Sequence, residues 1–262
     1  RYGGSMKKFT LSLIFAIGFC SLIFAQSAEE IAAKTKTKNT ASSLGSESSL
    51  DMQSGGKTLS TLEIRQYSSL DKNGLQRMFV EIKNPPSYKG SRFLMIEKTD
   101  GSTDQKMYLA QTKKVQKISA QGSADEPFMG SDFSNNDISF MERDTKLDNF
   151  KILGEEEYEG KSVYLIESTP KDKNYTYSKT IMRITKDKNL LLKAEFYQGS
   201  QLVKILELYD YKEVNGIMTA HKTKLSTVKT NTSTIITIKR IEYGMKIPDY
   251  IFTQKYLETG KK

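Results

Sequence analysis

From Thr58 onward, apolar and polar residues alternate one by one. Thr58–Tyr67 sets Leu62 and Ile64 against Glu63 and Arg65, and Leu75–Lys83 puts Met78, Val80 and Ile82 on one face. A period of two is the signature of a half-buried strand. The same pattern runs through Ser91–Glu97, Gln105–Gln111 and Lys114–Ile118. It resumes in Phe150–Glu157, Ser162–Ser168, Ser178–Thr185, Leu190–Tyr197, Leu202–Val214, Ile217–Val228 and Thr232–Tyr243. Between these segments stand Asp71-Lys72-Asn73-Gly74, Glu159-Gly160, Lys186-Asp187-Lys188-Asn189, Gly199-Ser200 and Asn215-Gly216. Gly and Asn accept the positive φ angles of tight hairpins. Asn84-Pro85-Pro86 cannot sit inside a sheet and marks a loop. Ser119–Asn149 has no period and interrupts the strands.

Ahead of this, Gln26–Lys38 reads as a short helix, with Glu29 and Glu30 early and Lys34 late, as the helix dipole favours. Asn39–Gly56 is rich in Ser and Gly and reads as a loop or a weak edge strand around Ser48–Met52. About eleven strands joined by short turns predict a mainly β fold. A single antiparallel sheet of that size must curl into an incomplete barrel or half-barrel to hide its inner face. Residues 26–262 are therefore expected to form one domain. Met6 to Ala25 has a basic start and a long apolar run, the pattern of a secretory signal peptide cut after Ala25. A retained anchor is the alternative. Residues 1–5 are expected to be translated upstream sequence, and Cys20 to be a passive residue of the apolar run.

Composition narrows the function. Charged residues make up 27% and hydrophobic residues 37% of the 262, too apolar for a disordered chain and too polar for a multi-span membrane protein. One Cys and one His exclude a disulfide scaffold and polyhistidine metal sites. His221 lies mid-strand and reads as a solvated or hydrogen-bonded residue. No phosphate loop or Gly-x-Ser-x-Gly is present, so no catalytic residue, metal or cofactor is expected. Asp132, Ser134 and Asn136 have the alternate spacing of a calcium loop, but Asp137 and Arg143 stand where Gly and Glu are needed. The net charge of +9 suits an anionic surface, without the clustering that a nucleic-acid footprint needs. Met recurs at 52, 78, 95, 107, 182 and 218, the last five each in a separate strand segment. It fills gaps in dry cores and also lines surfaces that accept varied apolar ligands.

Three segments carry a family resemblance. The main one is Met107-Tyr108-Leu109, Lys113 to Ile118, then Phe128-Met129-Gly130-Ser131-Asp132-Phe133-Ser134. Asn84-Pro85-Pro86 with Lys89-Gly90-Ser91-Arg92-Phe93-Leu94 precedes it, and Ile247-Pro248-Asp249-Tyr250-Ile251-Phe252-Thr253 with Tyr256-Leu257 closes the chain. Together they resemble the outer membrane lipoprotein-sorting protein family, relatives of the periplasmic carrier LolA, over roughly residues 28–258. Ala110 replaces a usual Pro, and Gln116-Lys117 a usual Arg-Arg. The resemblance implies an incomplete barrel whose open face is covered by a loop or helix lid, and no enzymatic activity. It implies a monomeric periplasmic carrier that shields acyl chains of lipoproteins or lipids between membranes. An inner-membrane RND/MMPL-type transporter and an outer-membrane acceptor would be its partners. A periplasmic sensor of mislocalised lipoproteins, acting through a protein partner, is the alternative.

Candidate cavity residues are Leu62, Ile64, Met78, Val80, Ile82, Phe93, Met95, Met107, Leu109, Met182 and Met218 on strands. Phe128, Met129 and Phe133 are candidate flaps, with Gly130 permitting the bend and Ser131 and Asp132 bonding neighbouring amides. Arg65, Arg77 and Arg92, with Lys113, Lys114 and Lys117, are candidates for headgroup or partner contact.

Overall fold

The computed structural model describes residues 26–35, 41–100, 102–118, 127–134, 137, 140 and 143–262. The expected signal peptide, with Cys20, lies outside the described residues. So do 36–38 of the expected first helix.

The strands are β1 (Ser43–Ser54), β2 (Lys57–Leu70), β3 (Gln76–Asn84), β4 (Arg92–Glu97), β5 (Thr103–Leu109), β6 (Lys114–Ile118), β7 (Asp148–Tyr158), β8 (Lys161–Pro170), β9 (Lys179–Thr185), β10 (Leu191–Gln198), β11 (Gln201–Val214), β12 (Ile217–Thr227) and β13 (Thr232–Tyr243). All 13 form one antiparallel sheet, ordered β6-β5-β4-β3-β2-β1-β13-β12-β11-β10-β9-β8-β7. Two meanders are thus fused where β1 pairs with β13, and among the described residues β6 and β7 are the free edges. The sheet is not closed into a barrel.

The Ser-rich segment expected to be a loop or weak edge is instead β1, the strand joining the two meanders. It pairs with β2 on one side and β13 on the other. Two ladders of backbone hydrogen bonds supply what the residue propensities lack. Gly45 within it admits Met245 from the outer face, where a Cβ would lie 2.6 Å from the sulfur. The turns form as the sequence indicates. The Asp71 carboxylate accepts the amides of Asn73 and Leu75 at 2.8 and 2.9 Å. Asn215 and Gly216 both take positive φ, which the β11–β12 hairpin requires.

Helix α1 (Ala28–Thr35) opens with a reciprocal cap: Glu30 N–H donates to Ser27 Oγ at 3.1 Å, and Ser27 N–H to Glu30 Oε2 at 3.2 Å. Its Ile31 and Ala32 are buried in one apolar cluster with Ile166, Met182, Ile184, Phe196, Leu206 and Leu225. A second cluster joins Leu50, Leu62, Ile64, Val80, Ile82, Phe93 and Met107. Ile236 packs against both. The third cluster, Phe79, Leu94, Ile251, Phe252 and Leu257, lies on the opposite side of β3 and β4, since Phe79 alternates with Val80 and Leu94 with Phe93. There the closing segment, a 3-10 turn at Asp249–Phe252 and helix α2 (Gln254–Thr259), covers the outer face.

Candidate functional site

The segment between β6 and β7 starts at one free edge and ends at the other, so it must cross the open side of the sheet. Its described part, here called the strap, forms a small loop closed by the Pro127–Ser134 bridge. Met129 and Gly130 take φ of 52° and 77°, and this double left-handed bend accompanies the inward placing of two rings. Phe128 meets Phe93 edge-on at 5.4 Å, and Phe133 is buried in the α1 cluster. Further along, Phe140 meets Phe196 edge-on at 4.8 Å. The strap therefore spans from one inner cluster to the other.

Two carboxylates hold it there. Asp132 Oδ1 accepts the hydroxyls of Thr227 at 2.6 Å and Thr232 at 2.5 Å, while Oδ2 accepts that of Thr234 at 2.9 Å. Asp132 N–H donates in turn to Thr234 Oγ1 at 2.9 Å. The Asp132 side chain thus reaches residues about a hundred positions away. Ser131 does act locally, its hydroxyl oxygen accepting Phe133 N–H at 3.3 Å. Asp137 is buried and accepts from Tyr177 Oη at 2.5 Å, Ser134 N–H at 2.7 Å and Ser134 Oγ at 2.8 Å. Lys204 Nζ joins the two halves, donating to Asp137 Oδ2 at 2.5 Å and to the Asp132 carbonyl at 2.7 Å. Both charges of this pair are paired and hydrogen-bonded, which burial demands.

Between strap and sheet lies a cavity of about 300 Å³. Its lining is Leu50, Ile64, Met78, Val80, Phe128, Phe133, Leu206, Leu208 and Ile236, with Gln66, Ser131, Asp137 and Thr223 as polar members. A mainly apolar wall with a few polar groups is the usual make-up of a small-molecule site. The cavity also reports the curvature of the sheet. Met78 on β3 and Leu206 on β11 are separated by five strand spacings, about 24 Å in a flat sheet, yet line one hollow.

Of the residues singled out in the sequence, Ile64, Met78, Val80, Phe128 and Phe133 line this cavity. Leu62, Ile82, Phe93, Met95, Met107, Leu109 and Met129 belong to the apolar cluster beside it without lining it. Met182 faces a hollow of about 20 Å³ under α1, room for a single water at most. Met218 sits in a separate depression with Tyr211, Thr219 and Tyr243. Leu50, Leu206, Leu208 and Ile236 were not singled out. Alternation marks Leu206 and Leu208 as one face of β11, but not which face is inward.

None of the three arginines faces the cavity. Arg65 Nη2 pairs with Glu47 Oε1 at 2.8 Å, and that hydrogen bond holds the Glu47 carboxyl below its ordinary range. Arg77 pairs with Asp249 at 2.9 Å, donates to Ser69 Oγ at 3.0 Å and lies over the Phe252 ring. Arg92 donates to the Leu257 carbonyl at 2.9 Å and lies over the Tyr108 ring. Arg77 and Arg92 thus tie the closing segment to the outer face. Lys113, Lys114 and Lys117 are exposed on β6 and its turn.

A family model described as one of uncharacterised proteins matches residues 74–259. No curated protein matches the chain by sequence. Among solved structures, a DUF1329 family protein from Desulfovibrio piger is 26% identical with a TM-score of 0.78, covering 88% of this chain and 97% of its own. An outer membrane lipoprotein-sorting protein domain from Vibrio parahaemolyticus is also 26% identical, with a TM-score of 0.76 and coverages of 88% and 98%. A LolA superfamily protein from Nitrosomonas europaea, 19% identical over 88% of this chain and all of its own, shares the fold with a TM-score of 0.67. The matched span includes the strap motif, the Lys89–Leu94 strand and the closing segment. The chain belongs to the DUF1329 family of uncharacterised proteins, and its fold is that of the LolA-like neighbours.

Proposed function

We propose that this protein is a periplasmic carrier that takes acyl chains of lipoproteins or lipids into the cavity beneath the strap and moves them between membranes, toward the outer membrane. The observation that carries the reading is the cavity itself, apolar on both sheet halves and roofed by Phe128 and Phe133. The sorting-protein domain from Vibrio parahaemolyticus, similar along nearly its whole length, supports the same class. Among the described residues, no helix is long and apolar enough to cross a membrane.

Burial of each CH₂ contributes roughly 0.8 kcal/mol, so a chain of about 16 carbons gains over 10 kcal/mol before entropic costs. Affinity of that size makes release the difficult step, which suits a roof held by a few polar bonds. An inner-membrane transporter of the RND/MMPL type as donor and an outer-membrane acceptor complete the proposed route. The test is mass spectrometry of lipids extracted from protein purified from an envelope fraction. Stoichiometric acyl lipid or acylated peptide is the expected result. Protein that is lipid-free and fails to take up a fluorescent acyl probe would overturn the reading.

A further inference from the structure

Antiparallel strands place their connections alternately at the two ends of a sheet. One end carries the β1–β2, β3–β4, β5–β6, β8–β9, β10–β11 and β12–β13 connections, with the Thr145–Leu147 turn that leads into β7. The remaining hairpin turns lie at the other end. Among the described residues of its connections, the first end holds Lys89, Lys113, Lys146, Lys171, Lys173 and Lys229, all exposed, against two exposed carboxylates, Asp144 and Asp172. Among the described residues none of these lysines is in an ion pair with a carboxylate. The hairpin turns of the other end balance Lys72, Lys98, Lys186 and Lys188 with Asp71, Asp100, Glu159 and Asp187.

The same end gathers exposed apolar side chains: Leu59 at 73%, Leu147 at 49%, and Tyr88 and Val228 at 45% each. A hydrogen bond of 3.1 Å from Gly55 N–H to the Asn231 carbonyl ties the β1–β2 and β12–β13 turns, so Lys57 and Leu59 lie near Val228 and Lys229. Single apolar residues interspersed with unpaired lysines suit the headgroup boundary of a bilayer, where the rings and branched chains insert and the ammonium groups meet lipid phosphates. Phosphates of a nucleic acid would leave the apolar side chains without a partner.

We infer that this lysine-rich end is a docking surface for an anionic phospholipid membrane. The inference rests on the carrier reading for its purpose, but cargo-free protein suffices to test it. Each lysine near an anionic surface contributes about 1 kcal/mol, so reversing three of them should weaken binding at least about 100-fold. The experiment is co-sedimentation of the full chain with phosphatidylglycerol/phosphatidylethanolamine vesicles and with phosphatidylcholine vesicles. The variants are Lys89→Glu/Lys113→Glu/Lys229→Glu and, with the same change in net charge, Lys72→Glu/Lys98→Glu/Lys188→Glu.

The first triple variant should lose binding to the anionic vesicles while the second keeps it within a few-fold. Leu59→Ser with Val228→Ser should weaken the same binding, and raising salt from about 0.1 M to about 1 M should abolish most of it. Equal loss in both triple variants, equal binding to phosphatidylcholine, or no binding by the unaltered chain would overturn the inference. An uptake assay with an acyl probe in detergent-free buffer reads the cavity separately, so failure of one claim is distinguishable from failure of the other.

Discussion

Replacing Asp132 by Ala should loosen the strap while leaving the sheet intact. The carboxylate accepts three threonine hydroxyls at 2.5–2.9 Å from β12 and β13. A hydrogen bond to a charged group contributes roughly 1.5–3 kcal/mol net. The site lies at the end of two strands, where water can recover part of each bond after the truncation. About 1 kcal/mol per bond is therefore the appropriate figure, or about 3 kcal/mol for the anchor, which is on the order of 100-fold in the fraction of time the strap is released. Hydrogen exchange reads this residue by residue. The amides of Phe128, Asp132 and Ser134, bonded to the Phe133 carbonyl, Thr234 Oγ1 and Asp137 Oδ2, should exchange about 100-fold faster. Amides of β10 and β11 should keep their wild-type protection. Thr227→Val removes one of the three bonds and should give about a fivefold effect. Equal acceleration in strap and sheet, or none in the strap, would refute the claim that this carboxylate anchors the strap.

Met78→Glu places an uncompensated charge in the cavity wall and should reduce uptake of a fluorescent acyl probe by at least tenfold, with Met95→Glu less damaging and Lys113→Glu without effect on uptake from solution. Arg77→Ala should lower the melting temperature through loss of its Ser69 and Phe252 contacts, about 1–2 kcal/mol, and leave probe uptake unchanged because it acts on the outer face. Burial pushes the Glu195 carboxyl up, but Lys193 and Arg183 together bring it below its ordinary range. A folded value below the unfolded one means that its contribution is present above the ordinary glutamate range and is lost as pH falls through the folded value. Chemical denaturation between pH 6 and pH 3 should thus show a flatter acid-side decline for Glu195→Gln than for the unaltered chain.

The strands and hairpin turns were legible because most strands pack one face on a core and most tight turns carry Gly or Asn at positive φ, the β5–β6 turn with Lys113 at 55° excepted. β1 was not, because its standing depends on ladders to β2 and β13 rather than on its own residues. In β3 and β4 both faces are apolar, for a reason visible only in three dimensions: Val80 and Phe93 face the cavity side, while Phe79 and Leu94 lie under the closing segment. That same covering explains why Arg77 and Arg92, which look like headgroup contacts in the sequence, are engaged with Asp249 and the Leu257 carbonyl. The strap motif announced a bend at Gly130 and apolar flaps at Phe128 and Phe133. It did not announce the partners of Asp132 and Asp137, since threonines and a lysine on distant strands become neighbours only when the sheet curls.

The central claim is that an acyl chain occupies the hollow between strap and sheet. Photo-crosslinking with a diazirine-bearing acyl lipid, followed by residue-level mapping, addresses it directly. The account predicts labels at Met78, Leu206 and Phe133 that excess unlabelled lipid removes. Labels confined to Phe252 and Tyr256 on the outer face, or none that unlabelled lipid displaces, would contradict it.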